Sequence, residues 1–135
     1  MSFLDRFKPQ PKWKHADPAV RVEAVATIPN DEEHLQVLRE LAREDADVRV
    51  RRAAGARLSK VEDLVPLAKS EQDEALRAEY RERLVEIAPA PASTDAAAAL
   101  ALEGLEDQKH FAAIAKASPH ATVRTAALGR IHDSR

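Results

Sequence analysis

The titratable residues of this 135-residue chain do not stand at the spacings that enzymes and metal sites require. Metal sites on helices favour two histidines at i and i+4 with a third ligand nearby, and no pair of histidines here has that spacing. The histidines are His15, His34, His110, His120 and His132. The chain has no cysteine, no Gly-rich phosphate loop and no Gly-x-Ser-x-Gly elbow. We therefore expect no catalytic residue, no metal and no cofactor.

Basic side chains offer binding chemistry instead. Arg49, Arg52 and Arg57 fall on one predicted helix, where guanidinium groups could pair with phosphates. Acidic neighbours, Glu44 and Asp47 among them, offset this charge, which is typical of a solvated, salt-bridged helix face. A phosphate-binding patch at Arg49–Arg57 therefore stands as the alternative to an ordinary helix surface.

The N-terminal arm, residues 1–16, combines large apolar residues with bases. These are Phe3, Leu4, Arg6, Phe7, Lys8, Lys12, Trp13 and Lys14. Such a segment can stack on nucleotides or lie on a membrane surface. We favour a hydrophobic cap over the first helix, with docking of a partner through Trp13 and Lys14 as the next alternative. Tyr80, an aromatic residue far from the others, is a further candidate for partner contact.

A repeated pattern determines which elements hold these residues. A shift of 47 residues aligns Leu67, Lys69, Leu76, Arg77 and Leu84 with Ile114, Lys116, Val123, Arg124 and Ile131. A shift of 26 in the other direction gives a further copy, in which Arg51 takes the place of Arg77. In the second half of each copy the apolar residues recur at i, i+4 and i+8, which places them on one helix face. Each copy therefore predicts two short helices joined by a turn.

The second helix of each copy carries the motif Asp-x-x-Val/Leu-Arg-x-x-Ala. Its polar residues are Asp17, Arg21, Asp47, Arg51, Asp73, Arg77 and Arg124. An aspartate just before a helix caps free backbone N–H groups. The last copy has His120 in place of the aspartate, which predicts a weaker cap unless Ser118 contributes. Tyr80 replaces the alanine of its copy, which predicts a helix that stands away from its neighbour or a ring that turns outward.

The motif resembles the HEAT repeat family, especially the short bacterial HEAT-like repeats of the phycobilin lyase type, over about residues 17–132. The resemblance implies an all-α, right-handed α-solenoid, and arginines that bond the aspartate or turn carbonyls of neighbouring repeats. The opening of the chain, Pro11 to Pro18 included, is similar to that of large helical bacterial proteins of uncharacterised function. Some HEAT-like proteins excise alkylated bases with acidic and aromatic residues in a basic groove, but Tyr80 is isolated here.

We predict two regions, an arm at 1–16 and a repeat solenoid at 17–135. The solenoid comprises a half repeat at 17–30, repeats at 31–58 and 61–88, a degenerate helix at 94–104 and a repeat at 107–132. The expected helices are 18–28, 31–43, 47–58, 61–69, 73–88, 94–104, 107–117 and 120–132. The segment Pro-Ala-Pro-Ala-Ser at 89–93 breaks the helical pattern, so one helix of a pair is expected to be shortened or lost there.

Composition narrows the function classes. Hydrophobic residues make up 44% and charged residues 33%, which is typical of a folded, well-solvated domain. The net charge of −2 is far from that of a general nucleic-acid binder. No apolar stretch is long enough to span a bilayer, so we expect a cytoplasmic protein, and the residue usage is typical of bacteria. The leading hypothesis is a non-enzymatic interaction module or scaffold that binds a protein or peptide on its concave helical surface. The alternative is a nucleic-acid or ribonucleoprotein-associated binder that uses the arm and the Arg49–Arg57 patch, and the oligomeric state stays open.

Overall fold

The computed structural model describes residues 10–90 and 93–131, and these ranges contain helices and no strand. A 3-10 helix at Lys12–Lys14 precedes α1 (Pro18–Val25), α2 (Glu32–Glu44), α3 (Val48–Ala56), α4 (Val61–Ser70), α5 (Glu74–Ile87), α6 (Asp95–Glu103), α7 (Gln108–Ala117) and α8 (Ala121–Gly129). The predicted all-α class is confirmed, and a helix is present at each predicted position. Several arm residues and the last histidine, Phe3, Leu4, Arg6, Phe7, Lys8 and His132, lie outside the described residues.

Most of these helices begin at a side-chain cap. The residues that accept a hydrogen bond from a backbone N–H of the first turn are Asp17, Asp31, Asp47, Asp73, Thr94 and Asp107. His120 makes no such bond at the start of α8. Its backbone N–H instead donates to Ser118 Oγ at 3.2 Å. The motif therefore predicts helix starts well because its aspartate satisfies amides that have no intrahelical acceptor.

The chain divides into two compact units, unit 1 at residues 1–57 and unit 2 at residues 58–135. In unit 1 the 3-10 helix packs on α1, and α3 packs on both α1 and α2. Residues 12–14 thus group with the first motif helix, although the sequence assigned them to a separate arm. The buried apolar residues of unit 1 are Ala24, Val25, Ile28, Leu38, Ala42, Val50 and Ala54.

Unit 2 contains the irregular part of the repeat. Here α4 packs on α5, and α7 packs on α8, as two helix pairs. Helix α6 is a single helix that contacts α4, α5 and α8. The pairing is therefore interrupted where the sequence predicted a shortened or lost helix. As a result α8 has α6 and α7 as its main neighbours, whereas in unit 1 the motif helices α1 and α3 pack directly on each other.

The position of Tyr80 corrects a prediction. Its side chain is only 1% exposed, so the ring is neither turned outward nor available for direct contact with a partner. It belongs to the buried set on the core face of α5, together with Leu76 and Leu84. The spacing of four residues between these three positions places them on one helix face. A tyrosine at the small-residue position is thus accommodated inside the protein.

A glycine allows close packing at the end of α6. A Cβ atom placed on Gly104 would lie 2.5 Å from Leu84 Cδ1 on α5 and 3.5 Å from the Val65 backbone on α4. Gly104 and Leu84 are both buried. The lack of a side chain at Gly104 therefore permits the close approach of α6 to α5.

Candidate partner-binding groove

The four motif arginines make the same contact at four turns. Each donates a hydrogen bond from Nη1 to the carbonyl oxygen six residues earlier, at the C-cap of the preceding helix. The pairs are Arg21 to His15 at 2.8 Å, Arg51 to Asp45 at 2.9 Å, Arg77 to Glu71 at 3.2 Å and Arg124 to Ser118 at 2.9 Å. These guanidinium groups therefore hold the turn between two helices.

The side chain of each C-cap residue adds a second contact that sequence reasoning missed. It accepts a hydrogen bond from the backbone N–H two residues later, at the N-cap of the motif helix. The acceptors are His15 Nδ1 at 2.9 Å, Asp45 Oδ1 at 2.9 Å, Glu71 Oε2 at 2.8 Å and Ser118 Oγ at 3.2 Å. The signal in the sequence is a polar residue two positions before each cap, but the residue type varies from copy to copy.

Asp45 carries the strongest version of this turn. Its carboxylate accepts two bonds from Arg21, at 2.9 Å from Nε and 3.0 Å from Nη2. The side chain of Asp45 is 6% exposed and that of Arg21 is 14% exposed. The hydrogen bond to Asp45 raises the pKa of Arg21 above its ordinary value. This bidentate pair links the start of unit 1 to the end of α2.

A second set of arginines, two at the C-caps of motif helices and one inside α5, bonds carbonyls far away in sequence. Arg57 donates to Val25 O at 2.6 Å, at the end of α1, and to Ile28 O at 2.8 Å, in the turn that follows. Within unit 2, Arg83 donates to Leu58 O and Arg130 donates to Leu102 O. Arg57 was expected in a surface patch with Arg49 and Arg52, and the structure instead directs its guanidinium to the α1 end.

The other two members of the predicted patch are placed differently from each other. Arg49 is 59% exposed and forms an ion pair with Asp47, with Nη2 and Oδ2 3.0 Å apart. Hydrogen bonds from the Arg49 side chain and backbone lower the pKa of Asp47 to about 2. Arg52 is half-buried and has interaction partners of its own. The three arginines of the predicted patch are thus not presented together as free cations.

Trp13 and Lys14 line a groove of about 370 Å³ in unit 1. Among residues 10–90 and 93–131, its lining is Pro11, Trp13, Lys14, Val37, Glu40, Leu41, Glu44 and Asp45. Val37 and Leu41 stand one turn apart on α2 and are half-buried, beside the fully buried Leu38. Glu40 and Glu44 form the neighbouring exposed row, also one turn apart. The groove therefore has an apolar wall and an acidic edge.

The indole of Trp13 has a defined position. Its ring meets the ring of His34 edge-on, with centroids 6.0 Å apart and an interplanar angle of 88°. His34 Nδ1 lies 2.7 Å from Asp31 Oδ1, and Asp31 also caps α2. Trp13 is half-buried, so part of the ring stays accessible. The cap of α2 thus orients one wall of the groove through an aromatic pair.

Unit 2 has a second groove, of about 290 Å³, between α5 and α7. Its lining is Glu74, Arg77, Ala78, Arg81, Glu82, Asp107 and His110. His110 Nε2 lies 3.6 Å from Glu82 Oε1, and Arg77 already bonds a turn carbonyl. This lining is almost entirely polar and its charges face each other, so it lacks the apolar wall that the groove of unit 1 provides.

The exposed surface is more acidic than the total charge indicates. Among the described residues, sixteen aspartates and glutamates are exposed, against eight lysines and arginines. The reason is that every described arginine except Arg43 and Arg49 is half-buried. A partner that approaches the described surface therefore meets mainly carboxylates, which favour a basic ligand over a phosphate backbone.

Residues 10–90 and 93–131 contain neither a metal-binding cluster nor a membrane-spanning helix. No three histidine or carboxylate side chains there stand close enough together to hold a metal ion. None of the helices in these ranges has the length and apolar character needed to cross a bilayer. Comparisons of the chain with protein-family models, curated proteins and solved structures find no match.

Proposed function

We propose that this chain is a non-enzymatic protein-interaction module whose helix pairs stack as a right-handed α-solenoid of HEAT-like repeats. Its concave helical surface binds a protein or peptide partner. The repeated turn supports the stacking, since a solenoid needs equivalent helix pairs that present equivalent faces to their neighbours. Identical arginine contacts at Arg51, Arg77 and Arg124 provide that equivalence in both units.

The groove of unit 1 is the observation that carries the binding proposal. Trp13, Val37 and Leu41 give it an apolar wall that a side chain of a partner can cover. Its polar edge supplies groups that fix orientation, as ligand sites typically do. Aromatic residues that stay partly accessible are frequent anchors of protein interfaces.

The test is capture of partners by the tagged full chain from native lysate, with and without nuclease. We expect a protein retained at stoichiometric level by the wild type and lost from Trp13→Ala and Leu41→Ser. Leu128→Ser is the matched control, because Leu128 is 60% exposed and lies in unit 2. Helical circular dichroism of all variants checks that they fold.

Two results would contradict this function. One is equal retention by the groove variants and the Leu128→Ser control, which would place the contact elsewhere. The other is loss of all bound protein on nuclease treatment, which would favour the nucleic-acid alternative.

A further inference from the structure

The acidic edge of the unit 1 groove has carboxylates with capacity for a further cation. Glu40 Oε1 accepts a hydrogen bond from Gln36 Nε2 at 3.3 Å. Glu44 Oε1 lies 3.5 Å from Arg43 Nη2, and the side chains of Glu44 and Arg43 are 65% and 55% exposed. An exposed pair at that distance is held weakly. Glu40 and Glu44 can therefore exchange these contacts for a ligand at little cost.

The third carboxylate of the lining is already occupied. Asp45 accepts two bonds from Arg21 and one from the Asp47 backbone. It therefore does not need a ligand cation, and its pairing with Arg21 connects the groove lining to α1. The charge that a ligand meets is thus set by Glu40 and Glu44, with Lys14 as the basic member of the lining.

The spacing of these two exposed carboxylates matches that of side chains on a peptide. Glu40 and Glu44 are four residues apart on α2, which corresponds to about 6 Å along the helix axis. Side chains at i and i+4 of a ligand helix, or at i and i+2 of an extended ligand, have nearly the same separation. The apolar wall at Val37 and Leu41 runs parallel to this row.

From this complementarity we infer that the groove of unit 1 binds a basic amphipathic peptide segment of a protein partner. Leucine- or phenylalanine-like side chains of the segment cover Trp13, Val37 and Leu41, and its lysines or arginines pair with Glu40 and Glu44. This rests on the proposed interaction function and adds the chemistry of the partner.

The experiment titrates the full chain with two synthetic peptides and follows the fluorescence of Trp13, the one tryptophan in the sequence. The first peptide spans about three helical turns, has leucines on one face and lysines on the other, and contains no tryptophan. In the second peptide each lysine is replaced by glutamate. We expect a saturable change in Trp13 emission with the lysine peptide and none with the glutamate peptide.

Matched charge reversals separate the groove from general attraction to an acidic protein. The double variant Glu40→Lys, Glu44→Lys is expected to bind the lysine peptide with about tenfold lower affinity, since two attractive ion pairs become repulsive. Glu86→Lys with Glu103→Lys makes the same change of net charge at exposed sites of unit 2 and should leave the affinity within about twofold.

Several results would overturn the inference. Equal binding of both peptides, or equal effects of the two double reversals, would remove the charge preference while leaving groove-dependent capture of a protein intact. Self-association that requires Glu40 and Glu44 would assign the groove to a second copy of the chain. Peptide binding that occurs only in a Phe3→Ser, Phe7→Ser variant would assign it to the chain's own residues 1–9.

Discussion

At the level of single residues, the motif arginines address a problem that every helix end creates. The last carbonyls of a helix have no intrahelical donor, and water or a side chain must supply one. Arg21, Arg51, Arg77 and Arg124 supply it to the helix before their own. A guanidinium suits this role because its donors have a fixed geometry, so one side chain can join two helices.

Arg124→Ala should therefore lower the free energy of unfolding by about 1–2 kcal/mol, the usual cost of removing a charge-assisted hydrogen bond from a half-buried carbonyl. Arg124→Lys should recover part of this loss. Urea denaturation followed by circular dichroism measures the change. Arg43→Ala, at an exposed arginine, is the control and should stay within about 0.5 kcal/mol. Similar losses at both positions would argue against a role for the Arg124–Ser118 bond.

A second residue-scale prediction concerns Asp47, whose pKa of about 2 lies below the usual value. A carboxylate with a lowered folded-state pKa stabilises the protein above its unfolded-state pKa of about 3.9, and this contribution is lost as the pH falls toward 2. Asparagine caps helices as well as aspartate does, so Asp47→Asn removes the charge and keeps the cap.

Asp47→Asn should thus be less stable than the wild type near pH 6, and the two should converge as the pH falls from about 4 to about 2. Arg49→Gln removes the partner that lowers the pKa of Asp47. In this variant the stability should therefore depend less on pH in the same window. Denaturant midpoints at a series of pH values measure both effects. A difference between wild type and Asp47→Asn that is independent of pH would refute the linkage.

At the level of elements, the sequence predicted the positions of the helices better than it predicted which helices pack on each other. Helix positions follow from caps and apolar spacing, both of which are local. The role of α6 depends on which helices it contacts, and two of these, α4 and α8, are not its neighbours in the chain. The pattern predicted that one helix of a pair is shortened or lost after residue 88, but nothing local indicates that α6 packs on α4. Gly104, at its end, is where this packing becomes close.

Gly104→Ala tests that close approach. The new Cβ would lie 2.5 Å from Leu84 Cδ1, and Leu84 is fully buried and cannot move into solvent. We expect destabilisation of about 1–3 kcal/mol, as for other overpacked sites. Gly129→Ala is the control, since nothing lies within 4 Å of its Cβ position and it should be neutral or stabilising by up to about 1 kcal/mol.

The Leu84→Ala background distinguishes steric conflict from other causes. If the clash is responsible, Gly104→Ala should cost less in that background, and the interaction energy of the double-mutant cycle should be non-zero. Thermal or urea unfolding gives all four free energies. Equal costs in both backgrounds would mean that Leu84 is not the obstacle.

At the level of the whole molecule, the formal net charge does not show which charged side chains face solvent. Most described arginines are turned toward carbonyls and carboxylates within their own unit, while most carboxylates face solvent. Arg57 is an example: its spacing from Arg49 and Arg52 suggested a patch, but its acceptors are Val25 O at the end of α1 and Ile28 O in the turn that follows. The groove could be predicted only in part, because Trp13 was a candidate but its α2 neighbours were not.

An acidic exposed surface has a direct consequence for the nucleic-acid alternative. A protein binds a phosphate backbone by placing several cations against it, which releases the counterions of the phosphates. The affinity then falls steeply as the salt concentration rises. The described surface offers few such cations, so we expect no binding of single- or double-stranded DNA or RNA oligonucleotides by fluorescence anisotropy at about 150 mM salt. We also expect Lys14→Glu, Arg49→Glu and Arg52→Glu to change nothing in this assay. The opposite result has three parts: the wild type binds, its affinity falls between about 50 and 200 mM salt, and the three reversals abolish binding without loss of helix. In that case the cations of unit 1 pair with phosphates. The chain would then be a nucleic-acid binder and not the interaction module proposed above.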